Sequence, residues 1–187
     1  MKVNRLAIEG LLLIESDVFS DDRGYFIELF NEKRFNDLEL PSDFAQDNLS
    51  VSKKNVIRGL HFQEEPHAQG KLVRVIRGAA LDVAVDIRKN SPTFGKHEAL
   101  MLTESNNLVL WIPTGFAHGF ATLDDNTVFH YKCSSLYHKS AESGIRYDDN
   151  ELAINWNIKT PLVSPRDLEL LSFADYKKRL GMKPAIL

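Results

Sequence analysis

A single cysteine, Cys133, in a chain of 187 residues leaves no intramolecular disulfide to form. The fold must then rest on its core, and the chain suits a reducing compartment such as the cytoplasm. Cys133 itself is either a small buried core residue or a nucleophile. Long apolar runs are missing too. The patch Leu11 to Ile14 is too short for the core of a secretion signal, and no run approaches the length that spans a bilayer. Nor does one charge dominate: 23 Lys and Arg against 26 Asp and Glu give a formal −3. That balance argues against a general polyanion-binding surface, and so against a nucleic-acid partner, while leaving room for a local basic pocket around one phosphorylated ligand. There is no repeat, low-complexity tract or linker, so residues 1–187 read as a single domain with a sizeable core.

What the chain does have is strand patterning. Leu81 to Arg88 alternates strictly, with Leu81, Val83, Val85 and Ile87 on one side and Asp82, Ala84, Asp86 and Arg88 on the other. Period two over such a length predicts a half-buried strand. Lys71 to Arg77 is rich in β-branched residues and runs into Gly78. Leu108 to Ile112 and Thr127 to Cys133 are further short strands. Turn clusters fall at Asn90 to Gly95, Pro113 to Gly115 and Asp124 to Asn126. Helix signals are few and sit near the ends. Ser172 to Leu180 has an N-cap serine, an acid three residues on, basic residues in its last turn and Gly181 behind it. Asn31 to Leu38 is a second short candidate. The pattern is all-β, a sandwich or barrel with minor helices.

Two histidines stand in informative company. His61 lies in RGLHFQ (Arg58 to Gln63) and His118 in WIPTGFAHGF (Trp111 to Phe120), with Lys71 following the first and Tyr131 the second. Imidazole, ammonium and phenol are the groups needed to take a proton from carbon, hold the resulting oxyanion and return a proton. Pro113, Gly115 and His118 resemble the second motif of the cupin barrels. Metal-binding cupins also carry His-x-His and a nearby acid in the first motif. Here that place holds His61-Phe62-Gln63, and His67 lies beyond Pro66. No metal site is expected.

Several long segments together are similar to the dTDP-4-dehydrorhamnose 3,5-epimerase family, from about Leu12 to Asp167. They include FSDDRGYFIELFN (Phe19 to Asn31), AQDNLSVSKKNVIRGLHFQ (Ala45 to Gln63), the run Pro66 to Lys96, WIPTGFAHGF and SGIRYDD (Ser143 to Asp149). The resemblance implies a cupin-type β-sandwich or jelly-roll barrel. It also implies epimerisation of dTDP-4-dehydro-6-deoxy-D-glucose at C3 and C5, without metal or nicotinamide. His61 matches the family's base and Asp167 the carboxylate paired with it, within Ser164-Pro165-Arg166-Asp167 where the family more often has S-E-K-D. Lys71 matches the lysine that stabilises the enolate oxygen, Tyr131 the acid on the opposite face, and His118 a pocket residue. Arg23, Glu28, Gln46, Asp47, Asn48, Arg58, Glu142 and Arg166 match positions lining the nucleotide-sugar site. Phe26 and Tyr137 are aromatic candidates for thymine. A homodimer with sites shared across the interface is also implied, the segment holding Arg23 and Glu28 crossing over. Leu49, His130, Cys133 and Tyr147 depart from the common pattern and leave sugar preference open. The rival readings are an epimerase acting at C3 or C5 alone, and a non-catalytic sugar-binding cupin.

Overall fold

The computed structural model of the chain describes residues 1–182. Its strands are β1 (Lys2–Arg5), β2 (Leu12–Glu15), β3 (Val18–Asp21), β4 (Gly24–Ile27), β5 (Gln46–Ser52), β6 (Val56–Gln63) and β7 (Lys71–Arg77). They continue with β8 (Ala79–Asp86), β9 (His97–Thr103), β10 (Leu108–Ile112), β11 (Phe116–Thr122), β12 (Thr127–Cys133), β13 (Glu142–Gly144) and β14 (Leu162–Val163). One sheet runs β1-β2-β10-β7-β12-β5. The other runs β13-β6-β11-β8-β9, with β14 added in parallel beside β6. The hairpin β3–β4 pairs only with itself. This is the all-β sandwich that the patterning and the cupin resemblance predict.

Three apolar clusters hold the layers together. Between the sheets, Val73, Val75, Leu110, Ile112 and Phe129 of the first meet Ala80, Ala84, Leu102, Phe116 and Phe120 of the second. On the second sheet's other face, Leu81, Val83, Val85 and Ile87 are covered by Ile145, Leu152, Trp156, Phe173 and Tyr176 from the C-terminal segment. The third cluster puts Phe35 and Leu40 over Ile14, Leu72, Val109 and Trp111, on the first sheet's outer face.

The second cluster corrects one expectation. The alternating segment forms β8, but β8 is not half-buried: Asp82 and Asp86 are both 0% exposed. One face packs against the C-terminal segment and the other looks into the sandwich, so neither meets water. Alternation marks two different faces; it does not say that one of them is solvated.

The end helices form as the caps predict. In α1 (Glu32–Asp37) the Asn31 side chain accepts from the Arg34 N–H. In α3 (Phe173–Arg179) Ser172 accepts from the Asp175 N–H, and Gly181 follows at φ +69. Preceding α3 in chain order is a third helix the patterning misses, Pro165–Leu168. Numbered by position it is α2, and it carries Asp167.

Candidate active site

His61 on β6 and His118 on β11 are register partners on neighbouring strands. The backbones come close beside them because Gly59 sits at φ +128, where a Cβ would lie 2.5 Å from the Gly119 Cα. Lys71 and Tyr131 arise from the facing sheet, on β7 and β12. Strand register places them diagonally on one face. A cavity of about 570 Å³ opens between these walls, lined by all four residues together with Arg58, Phe120 and Asp167. The rings of Phe120 and Phe129 stack at 3.9 Å and join the two sheets at this point.

Each of the two histidines lining the cavity contacts a carboxylate. His61 Nε2 lies 2.7 Å from Asp167 Oδ1, and Asp167 Oδ2 accepts the Gly59 N–H at 3.3 Å. Burial opposes ionisation of Asp167. Hydrogen bonds from His61, the Gly59 N–H and Ser164 outweigh it and hold the carboxyl below its ordinary value. With Nε2–H donating to that carboxylate, the neutral ring carries its lone pair on Nδ1. The second contact joins His118 Nε2 to Asp82 Oδ2 at 2.9 Å. Here burial pushes the imidazole down despite Asp82, and the neighbouring Lys71 and His61 add to the effect.

Across the cavity, burial drives the Tyr131 phenol up, so it stays protonated and able to donate. Burial pushes the Lys71 ammonium down from the usual lysine range, and acidic neighbours including Asp82 and Glu142 only partly restore it. A base on one wall, a phenol on the other and an amine on the phenol's wall can move a proton between the two faces of a bound ring.

The remaining candidates divide into three groups. Gln46, Tyr137 and Glu142 line a side cavity of about 150 Å³ that shares His61, Lys71 and Tyr131. Tyr137 Oη donates to Glu142 at 2.5 Å, and Arg166 forms an ion pair with the same carboxylate. Asn48 faces the same way, its amide donating to Cys133 Sγ at 3.7 Å. Asp47 does not join them: strand alternation turns it to the outer face, where it bonds His130 at 2.6 Å and Lys132 at 2.6 Å. Arg23, Phe26 and Glu28 also stay out of the cavity. Arg23 pairs with Asp21 on the β3–β4 hairpin, Phe26 is 65% exposed, and Glu28 pairs with Arg34.

Sequence reasoning missed Asp82, read there only as one polar position in an alternating strand. Asp82 lies two residues before Ala84, the register partner of His118, and so shares its face; that pairing is not readable from the sequence alone. Cys133 is buried, with its thiol pushed up by burial, as suits a core residue and not a nucleophile. Among the described residues no group of three or more His, Cys, Asp or Glu is placed to hold a metal ion.

Comparison with known proteins agrees with the fold and identifies the family. The family model described as dTDP-4-dehydrorhamnose 3,5-epimerase matches residues 5–175. A dTDP-4-dehydrorhamnose 3,5-epimerase of Shigella flexneri is 48% identical over 94% of this chain and 97% of its own. A dTDP-4-dehydrorhamnose 3-epimerase of Streptomyces niveus is 39% identical over 94% of this chain and 85% of its own. Among solved structures, the Legionella pneumophila dTDP-6-deoxy-D-glucose-3,5-epimerase in complex with dTDP-4-keto-L-rhamnose superposes with a TM-score of 0.91. It is 41% identical and covers 99% of both chains. The chain belongs to the dTDP-4-dehydrorhamnose 3,5-epimerase family.

Proposed function

We propose that this chain epimerises dTDP-4-dehydro-6-deoxy-α-D-glucose at C3 and C5, giving dTDP-4-dehydro-β-L-rhamnose. The observation that carries the reading is the His61–Asp167 pair facing Tyr131 across one cavity. Both carbons flank the C4 ketone, so loss of either proton leaves an enolate. His61 Nδ1 removes the proton, Asp167 steadies the imidazolium, and the Lys71 ammonium stabilises the oxygen. Tyr131 then delivers a proton to the opposite face, which inverts the carbon. His61 returns its proton to solvent and Tyr131 regains one before the second carbon reacts. Side chains supply every group in this scheme, without a cofactor.

Arg58 and Arg166 suit the diphosphate, since guanidinium forks match phosphate oxygens. Gln46, Asn48, Tyr137 and Glu142 continue the same wall. Arg23, Phe26 and Glu28 reach a cavity only if the chain is a homodimer whose hairpins cross. The hairpin's isolation supports this, with Phe19, Tyr25 and Phe26 each more than half exposed. Residues 1–187 then form one catalytic domain acting in the cytoplasm on a nucleotide sugar, without nucleic-acid or membrane partners. No helix of the described residues is long and apolar enough to cross a membrane.

The Streptomyces niveus relative keeps a second reading alive, epimerisation at one carbon only. Turnover in deuterated water separates them. Label at both C3 and C5 is the expected result, label at one carbon favours the single epimerase, and no label with folded protein removes the enzyme claim.

A further inference from the structure

The carboxylate that meets His61 arrives from 106 residues further along the chain, on a short strap. Leu162 and Val163 first pair in parallel with Val56 and Ile57, and the Leu162 N–H donates to the Asn55 carbonyl at 2.8 Å. Ser164 then takes an extended conformation, at φ −68 and ψ 147, and Pro165 opens α2. The Ser164 Oγ accepts the backbone N–H of Asp167 at 3.1 Å. A four-residue helix is far too short to hold itself together. Its geometry therefore depends on what fixes its ends. On the strand side that is the pairing with β6. On the far side it is the Arg146 guanidinium on the Leu168 carbonyl at 2.6 Å and the Arg166–Glu142 ion pair. At the turn itself it is the bond from the Asp167 N–H to Ser164.

We propose that Ser164 is a positioning residue for the epimerisation: its capping bond fixes the turn that holds Asp167 against His61. The proposal rests on the reading of His61–Asp167 as the proton-abstracting pair. The cap acts on the backbone of the very residue whose side chain must stay 2.7 Å from Nε2. Proline at the first helical position presets the same turn but offers no side-chain acceptor. When the cap is lost the turn frays, and Asp167 spends part of its time off the imidazole. Ser164 is itself exposed at the cavity's edge, and its hydroxyl bonds only to Asp167, through its backbone N–H and its carboxyl, touching neither His61, Lys71 nor Tyr131.

The test measures deuterium incorporation and turnover in S164A, S164D, S164T, D167N and the double variant S164A/D167N. S164A is expected to lower kcat about fivefold, the factor that one lost cap represents, with KM for the nucleotide sugar unchanged. S164D and S164T, which both cap, should recover most of that loss. In the D167N background S164A should cost nothing further, because the carboxylate through which the serine acts is gone. A D167N enzyme that turned over like wild type would overturn the catalytic reading and this proposal with it. A slow D167N would leave the reading standing, yet the proposal would fall on any of three results: S164A at the wild-type rate, S164D no faster than S164A, or S164A slowing D167N by the factor by which it slows wild type.

Discussion

His61 and His118 stand on adjacent strands and bond Asp167 and Asp82 at nearly equal lengths, yet the surroundings of the two pairs differ. His61 keeps 32% of its side chain exposed, and its acid comes from a strap outside the sheets. His118 is 8% exposed and its acid 0%, both set within central strands. An imidazole that must accept a proton from substrate and pass it to water needs the first environment. The second disfavours the charged ring through burial and through the nearby Lys71 ammonium. A histidine–carboxylate contact thus does not by itself identify a base; access to solvent and the neighbouring charges decide.

Four variants can break or sharpen that contrast. The largest effect belongs to H61N, which should lower exchange about 10³-fold or more while dTDP binding, read by calorimetry, holds. D167N follows, with a loss of about 10²-fold in kcat, because the ring survives but loses the group that orients it. H118N should cost less than a lost acid or base does, about tenfold in kcat. It should also change the response to pH. The folded state holds His118 below its ordinary value of 6.5, so on acidification the unfolded chain takes up this proton first. This contribution to stability is full above pH about 6.5 and is lost as the pH falls toward the folded value. Urea midpoints at neutral and mildly acid pH should therefore separate for wild type more than for H118N. The smallest effect falls on a third pair, His130–Asp47, on the outer face of the sheet. D47N should leave kcat/KM within about twofold, as for a surface ion pair. A tenfold loss there would mean that Asp47 reaches the nucleotide.

Much of this was legible in the chain. β10 and β12 run over the residues the pattern marks, and α1 and α3 lie within their predicted caps, because those signals are local. His61, Lys71, Tyr131 and His118 meet at one cavity, as the family resemblance implied. The role of Asp82 was not legible, because it depends on the first sheet packing over the face of β8 that carries Ala80, Asp82 and Ala84. Nor was α2, four residues whose existence depends on β14 pairing with a strand about a hundred residues earlier. Asp47 shows the reverse: period two along Gln46-Asp47-Asn48 already places the acid on the face opposite its two neighbours, away from this protomer's cavity.

The central claim is that base and acid work from opposite walls, and Y131F in deuterated water tests it most directly. If His61 removes the proton and Tyr131 only returns one to the other face, Y131F should still exchange substrate hydrogen through His61 with retention. Deuterium would then enter at least about tenfold faster than the sugar inverts. Exchange and inversion lost together and to the same extent would contradict the division of labour, and would place the phenol in the proton-removing step.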